Sequence, residues 1–131
     1  YFDDVAPLIA QRNASYISLM AGVSAGAIAR RVGSNRVVRA MPNLGARIGL
    51  SATALSHLPQ STPDDVVMAE KLFSAVGTVY HIPEGLFDAF TGFAASGPAF
   101  AAVVAEAFAD GGVRVGFNRA TSRDLARQVL L

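Results

Sequence analysis

Hydrophobic residues in the first two thirds of the chain fall into short runs that favour β-strands, with helical stretches between them. Four such runs cover residues 16–22, 36–40, 50–58 and 78–82. Between them, the apolar spacing predicts helices over residues 25–32 and 64–76, and Ser24 is a suitable N-cap for the first. Strands that alternate with helices favour parallel pairing, because a parallel connection needs a crossover. We therefore expect an α/β layer with a mainly parallel sheet.

A shorter helix is predicted near the start of the chain. Within residues 2–12, Val5, Leu8 and Ile9 recur at helical spacing. Pro7 restricts this helix, because proline is accommodated near a helix start or at a kink.

From residue 83 the pattern becomes almost wholly helical, so we place a domain boundary near Leu86. The predicted domains are residues 1–86, the α/β part, and residues 87–131, an all-α segment. The helix predicted over residues 97–112 has large apolar side chains on one face and mostly alanine on the other. Such a helix must be covered on most sides, and one later helix starting near Asn118 is too little to do so. We expect missing chain or a second subunit to cover it.

Composition narrows the class of protein. The chain has 131 residues, of which 52% are hydrophobic and 16% charged, and this is typical of a globular protein with a core. Its 11 Lys and Arg nearly balance its 10 Asp and Glu, which argues against binding to nucleic acid or to an anionic membrane surface. No stretch comes close to the roughly 20 apolar residues of a membrane span. Cysteine is absent, which excludes thiolate chemistry, and we predict a cytoplasmic protein without a metal site.

Two short loops follow predicted strands and are candidates for ligand binding. Ala21-Gly22 ends the first run, and Met41-Pro42-Asn43 follows the second. In open α/β sheets, ligands bind beyond the carboxyl ends of the strands. Pro42 fixes its own φ and biases Met41 towards an extended backbone, while Asn43 supplies an amide that donates and accepts hydrogen bonds. The alternative for the second loop is an ordinary turn.

Ser96-Gly97-Pro98 is a third candidate, at the predicted start of the long helix. Pro98 suits a first helical turn, and Ser96 or Gly97 can cap it. Unpaired N–H groups at a helix start attract an anion such as a carboxylate. The alternative is that these residues only begin a helix.

Arg39 is a charged residue inside a strand-like run. A cation in this place either pairs with a buried acid or faces a phosphate, because an isolated buried charge is costly. We favour the buried acid.

Four motifs occur in an order and spacing that resemble one family. They are AGVSAGAIARRVG (residues 21–33), VVRAMPN (37–43), KLFSAVGTVYHIPE (71–84) and SGPAFAAVVAEAFADGGVRVGF (96–117). Together they resemble pyrroline-5-carboxylate reductase, over residues 15–131. The resemblance implies the C-terminal part of a Rossmann-like domain that binds NADPH or NADH, followed by the start of a helical dimerisation domain. The implied reaction is the reduction of 1-pyrroline-5-carboxylate to L-proline, in an intertwined homodimer that often assembles further.

The resemblance also assigns ligands to the candidate loops, which would flank the nicotinamide and the pyrroline ring. The residues implied in cofactor binding are Ala21, Gly22, Met41, Pro42 and Asn43, and those implied in substrate binding are Ser96, Gly97 and Pro98. It assigns no residue of this chain as the catalytic proton donor.

The sequence departs from the family pattern in two places. Leu44-Gly45 stands where Met-Pro-Asn is usually followed by Thr-Pro, and Ala94-Ala95 stands where Ser-Gly usually precedes Ser96. The chain also contains neither a Gly-x-Gly-x-x-Gly phosphate loop nor a Ser-Pro-Gly-Gly-Thr-Thr loop. We therefore expect a portion of a longer enzyme, inactive alone. Two alternatives are a divergent, non-catalytic relative serving as an assembly or regulatory module, and a related reductase for another imine or keto acid.

Overall fold

The first part of the fold is organised around a sheet whose strands lie side by side in chain order. The computed structural model describes residues 2–10 and 14–130. Among them, four strands form the sheet: β1 (Tyr16–Ser18), β2 (Val37–Met41), β3 (Ser51–His57) and β4 (Gly77–His81). Each predicted run overlaps one of these strands, although β1 ends at Ser18 and does not reach Gly22.

The sheet is mainly parallel, as predicted, with one exception. β1 pairs with β2 and β3 pairs with β4 in parallel, whereas β2 and β3 are antiparallel. The loop 42–50 joins β2 to β3 and contains only a short 3-10 helix, Leu44–Ile48. A parallel connection needs a crossover of about a dozen residues or more. Because the loop is shorter than that, β3 runs back alongside β2.

The helices of this region begin largely where the sequence predicts. They are α1 (Phe2–Ile9), α2 (Ala25–Val32), α3 (Pro63–Ser74) and the short α4 (Phe87–Phe90). Ser24 caps α2, as predicted, because its Oγ accepts a hydrogen bond from the N–H of Ala27. Thr62 and Asp65 form a capping box at the start of α3. The helix predicted within residues 2–12 is present as α1, and residues 11–13 lie outside the described residues.

Strand β2 lies at the centre of the packing, and every one of its residues is buried. Val37 packs against α2 on one face of the sheet. Val38 and Ala40, which alternate with it, pack against α3 on the other face. Met41 contacts Phe87 of α4. The carboxyl end of β2 is therefore held by side chains on both faces, and this fixes the starting point of the loop that follows.

The chain divides into two compact units, Tyr1–Ala95 and Ser96–Leu131. The second unit consists of α5 (Gly97–Arg114) and α6 (Arg119–Val129). Asn118 caps α6, as predicted, by accepting a hydrogen bond from the N–H of Thr121.

Helices α5 and α6 pack closely but enclose few side chains. Gly112 lies so near Ser122 that a Cβ at position 112 would come within 2.8 Å of the Ser122 Oγ. Arg119 of α6 forms ion pairs with Glu106 and Asp110 of α5. Among the described residues of this unit, those that are buried are Ala109, Ser122 and Ala126. As expected, α5 keeps large apolar side chains exposed, namely Phe100, Val103, Val104, Phe108 and Val113.

The first unit extends beyond the predicted boundary near Leu86. Phe87 is 1% exposed and packs with Met41 and Ala54 of the sheet, so the chain as far as Ala95 belongs with the sheet. The assignment of residues 1–86 and 87–131 to two domains stays a prediction.

The expectation that no stretch has the length and composition of a membrane span is wrong. Within the described residues, the helical stretch Glu84–Arg114 is long and apolar enough, by length and composition, to cross a membrane. Isolated acidic residues interrupt this stretch, so it contains no long uninterrupted apolar run. A helix that another subunit covers has the same composition, so this stretch alone is weak support for a membrane span.

Candidate functional site at the carboxyl edge of the sheet

The two loops predicted to bind the cofactor lie at the same edge of the sheet. β1 and β2 are adjacent and parallel, with Ser18 opposite Arg39, so their carboxyl ends coincide. Ala21-Gly22 follows β1, and Met41-Pro42-Asn43 begins with the last residue of β2. Arg39 Nη2 donates a hydrogen bond of 3.2 Å to the carbonyl oxygen of Met20, which ties the first loop to the second strand. The structure therefore places the two loops after adjacent parallel strands, at one edge of the sheet.

The first loop presents open backbone at Ala21 and Gly22. Both residues are exposed, and Gly22 has a φ of 70°, in the left-handed region that favours glycine. Apart from Gly22 itself and its two neighbours in the chain, no described residue has an atom within 4 Å of the point where a Cβ of residue 22 would stand. A flat ring can therefore approach the backbone closely here.

The second loop is organised by the side chain of Asn43. Its Oδ1 accepts hydrogen bonds from the N–H groups of Gly45, at 3.0 Å, and Ala52, at 3.3 Å. Its Nδ2 donates to the carbonyl oxygen of Ala94 at 3.0 Å. The amide predicted to face a ligand is thus occupied in capping the 3-10 helix and in joining the loop to β3 and to the end of the first unit. A contact between Asn43 and a ligand stays a prediction.

The structure explains why glycine, and not the proline of the family pattern, fits at position 45. Its N–H donates to Asn43, and a proline at this position would have no N–H to donate. A Cβ at residue 45 would also come within 2.4 Å of the carbonyl oxygen of Leu50. The loop in this chain is therefore built for glycine at position 45.

Arg39 pairs with an acid, as predicted, although this acid, Glu84, is only partly buried, with its side chain 38% exposed. Arg39 is 3% exposed, and its Nη1 lies 2.9 Å from Oε1 of Glu84. The ring of Phe87 stacks against the guanidinium, with its centre 4.1 Å from the central carbon. Sequence reasoning identified neither Glu84 nor Phe87 as a partner. A buried cation predicts an acidic partner, but it does not indicate which acid along the chain that partner is.

A buried carboxylate lies near the opposite end of β2. Asp65 is 1% exposed, and Arg36 Nη2 donates to its Oδ1 at 2.7 Å. The Arg36 guanidinium, assisted by hydrogen bonds from Ser15 and Thr62, holds the pKa of the Asp65 carboxyl well below its ordinary value, although burial acts in the opposite sense. This group stays ionised near neutral pH and braces the start of α3.

Ser96, Gly97 and Pro98 belong to the second unit. Pro98 lies in the first turn of α5, as predicted. Ser96 occupies the N-cap position with helical φ and ψ angles of −84° and −12°, and its side chain makes no cap hydrogen bond within the described chain. The preceding residues Thr91–Ala95 form a π-helical turn, a feature found often at functional sites. Ser96 therefore lacks the usual cap geometry, and carboxylate binding by these residues stays a prediction.

Metal-ligating side chains do not cluster in the part of the chain that the structure describes. There, no group of three or more His, Cys, Asp or Glu residues comes together in a way that could hold a metal ion.

Comparison with known proteins decides the family. The family model for the dimerisation domain of pyrroline-5-carboxylate reductase matches residues 84–131. Over 130 residues, 98% of this chain, the sequence is 53% identical to a pyrroline-5-carboxylate reductase of Thermus thermophilus, of which it covers 50%. The chain belongs to the pyrroline-5-carboxylate reductase family.

Solved structures agree with this assignment. A pyrroline-5-carboxylate reductase of Streptococcus pyogenes superposes with a TM-score of 0.89 at 31% identity, over 98% of this chain and 50% of that one. The enzyme of Plasmodium falciparum, solved with NADP bound, gives a TM-score of 0.86 at 25% identity, over 98% of this chain and 52% of that one. The chain thus spans about half the length of the pyrroline-5-carboxylate reductases that it matches. Those neighbours have the Rossmann fold that the sequence predicted.

Proposed function

We propose that the protein containing this chain reduces 1-pyrroline-5-carboxylate to L-proline by hydride transfer from NADPH or NADH. The proposal rests on the adjacency of the Ala21-Gly22 and Met41-Pro42-Asn43 loops in a chain that is 53% identical to a pyrroline-5-carboxylate reductase. A relative with NADP bound supports a nicotinamide cofactor. The full reaction belongs to the whole protein, and this chain contributes part of the cofactor edge and the start of the dimerisation segment.

Placement of the two ligands is the main contribution of these residues. The open backbone at Gly22 fits a flat ring, because no described side chain fills the space beside it. The Asn43 hydrogen bonds hold the opposing loop still, so the ring would meet a fixed wall. Such preorientation lowers the entropic part of the barrier for a two-ligand reaction. The bound cofactor supplies the hydride, which goes to the imine carbon while a proton goes to the nitrogen.

Substrate binding at Ser96, Gly97 and Pro98 is the less direct part of the proposal. The carboxylate of the substrate would be bound by backbone N–H groups at the first turn of α5, where the helix dipole favours an anion. Ser96 has no competing cap hydrogen bond within the described chain, so its hydroxyl is available to such a ligand.

We also propose that the protein is a homodimer joined through α5 and α6 and is able to assemble further. The support is the dimerisation-domain match over residues 84–131, together with the exposed apolar side chains of α5. The near-neutral charge balance supports the expectation of no nucleic-acid or membrane partner, and a cytoplasmic location remains a prediction.

The decisive experiment uses the full-length protein and pyrroline-5-carboxylate, with the absorbance of reduced nicotinamide as the readout. Turnover with NADPH or NADH is expected, and the 131-residue chain alone is expected to be inactive. Cofactor binding without turnover would instead favour a non-catalytic relative. Turnover only with another imine or a keto acid would favour a related reductase.

A further inference from the structure

The ion pair between Arg39 and Glu84 holds both ends of the turn that carries Gly22. At one end, Arg39 Nη2 donates to the carbonyl oxygen of Met20. At the other end, Glu84 Oε1 accepts the N–H of Ala25 at 3.0 Å, at the first residue of α2. The pair therefore joins β2, the two ends of the turn over residues 21–24 and the segment that leads into α4.

The pair is a costly way to stabilise a fold. Burying the Arg39 guanidinium carries a large desolvation penalty even though the Glu84 side chain stays 38% exposed, and apolar residues often replace a buried ion pair without loss of stability. Within the described chain, Arg39 Nε and Glu84 Oε2 are also buried without a hydrogen-bond partner. Leaving such groups unpaired adds a further penalty. Stability alone is therefore a poor explanation for this arrangement, whereas the planar guanidinium is well suited to fixing directions.

We infer that Arg39 is a positioning residue for the cofactor, which acts with Glu84 to hold residues 21–24 in the shape that admits the nicotinamide ring. The identity of the ligand in this inference rests on the proposed function. Arg39 does not touch the ligand in this scheme, because it contacts the turn through Met20 and through Glu84. Its loss should therefore affect cofactor binding more than the chemical step.

The chain contains a matched control in a second, partly buried ion pair. Arg36 pairs with Asp65, whose side chain is 1% exposed, so each of the two pairs has one buried member. Arg36 immediately precedes β2, whereas Arg39 lies towards the carboxyl end of that strand, beside the two loops. Replacing Arg36 thus removes an ion pair of the same kind at the end of the strand away from the candidate site.

The test compares Arg39→Met, Arg39→Lys, Glu84→Gln and Arg36→Met in the full-length enzyme. Arg39→Met is expected to raise the KM for the nicotinamide cofactor at least about tenfold with a smaller change in kcat, and Arg39→Lys to restore part of that loss. Glu84→Gln, which keeps the side-chain shape, is expected to raise this KM about threefold. Arg36→Met is expected to lower the Tm but to leave the cofactor KM within about twofold of wild type.

Hydrogen exchange at the backbone amides of residues 21–25 gives a readout that does not need activity. Exchange there is expected to be faster in Arg39→Met than in Arg36→Met. Equal exchange in the two variants, or an unchanged cofactor KM in both Arg39→Met and Glu84→Gln, overturns the inference. If Arg39→Met does not fold, Glu84→Gln decides by the same two measurements. If the wild-type enzyme does not reduce pyrroline-5-carboxylate, the proposed function fails, and exchange alone then decides whether Arg39 holds the turn.

Discussion

The two units of this chain bury their apolar residues in opposite ways. In the first unit, β2 is covered on both faces, and Val38 and Ala40 are 0% exposed. In the second, α5 leaves Phe100 60% and Phe108 51% exposed. Both segments are rich in apolar residues, but only the first finds enough neighbours within the chain. The difference indicates that the first unit carries its own core, and it supports the proposal that the second unit is one side of an interface.

The strongest way to break this comparison is to place a charge on the exposed face of α5. Phe108→Glu in the full-length protein should raise the dissociation constant of the proposed homodimer at least about 100-fold, because an unpaired charge would be buried at its interface. Sedimentation velocity over a range of protein concentrations measures the change. Leu72→Glu is the control, since Leu72 of α3 is 56% exposed but lies in the first unit. Dissociation of both variants to the same degree would contradict the contrast drawn between the units.

A cavity in the first unit tests whether its core is self-contained. Leu55 is 1% exposed and packs against α3, so Leu55→Ala should lower the free energy of unfolding by about 2–5 kcal/mol. Urea denaturation followed by circular dichroism measures this loss. Leu72→Ala on the exposed side of α3 should change the same quantity by no more than about 0.5 kcal/mol. Similar losses for the two variants would mean that the two positions are buried alike in solution.

The buried carboxylate of the first unit predicts a dependence of stability on pH. The pKa of Asp65 is lower in the folded than in the unfolded state, so its contribution is present above the unfolded value and is lost as the pH falls towards the folded value. Asp65→Asn should lower the free energy of unfolding by about 1.5–3 kcal/mol at pH 7, which is the range for a hydrogen bond to a charged group. The difference between wild type and variant should shrink as the pH falls below about 4. Unfolding curves at several pH values measure it, and a constant difference would argue against this role of the carboxylate.

The smallest expected effect concerns the start of α2. Ser24→Ala removes the oxygen that accepts the N–H of Ala27 and should lower the free energy of unfolding by about 1 kcal/mol. Ser24→Asp retains an accepting oxygen and should be close to wild type. Thermal unfolding of wild type, Ser24→Ala and Ser24→Asp measures the effect. Equal losses of stability in the two variants would mean that residue 24 tolerates no substitution, and would argue against a specific role in capping.

Much of the fold was predictable because its signals are local. The strand-like runs, the Ser24 and Asn118 caps and the uncovered long helix each depend on residues close together in sequence. The antiparallel pairing of β2 with β3 was not predicted, although the length of loop 42–50 contained the necessary information. The helical period alone did not indicate the π-helical turn Thr91–Ala95 either.

The candidate site was predictable in outline but not in its supporting contacts. The apolar runs indicate the strands that the two loops follow, and the expected parallel pairing agrees with that of β1 and β2, whose carboxyl ends lie at one edge. The partners of Arg39 could not be predicted in this way. Glu84 lies far from Arg39 in the sequence, and the sequence does not show which of several acids pairs with a buried cation. Likewise, the sequence does not show whether the Asn43 amide binds a ligand or forms hydrogen bonds within the chain. In the structure it bonds to the backbone of Gly45, Ala52 and Ala94.

The hydrogen bond from Gly45 to Asn43 has an evolutionary consequence. Replacing Gly45 by the proline more common in the family would delete that bond and press the new side chain against the backbone of Leu50. A side chain at residue 45 would therefore require the backbone of residue 50 to shift, so tolerance of substitution at these two positions is expected to be coupled during evolution.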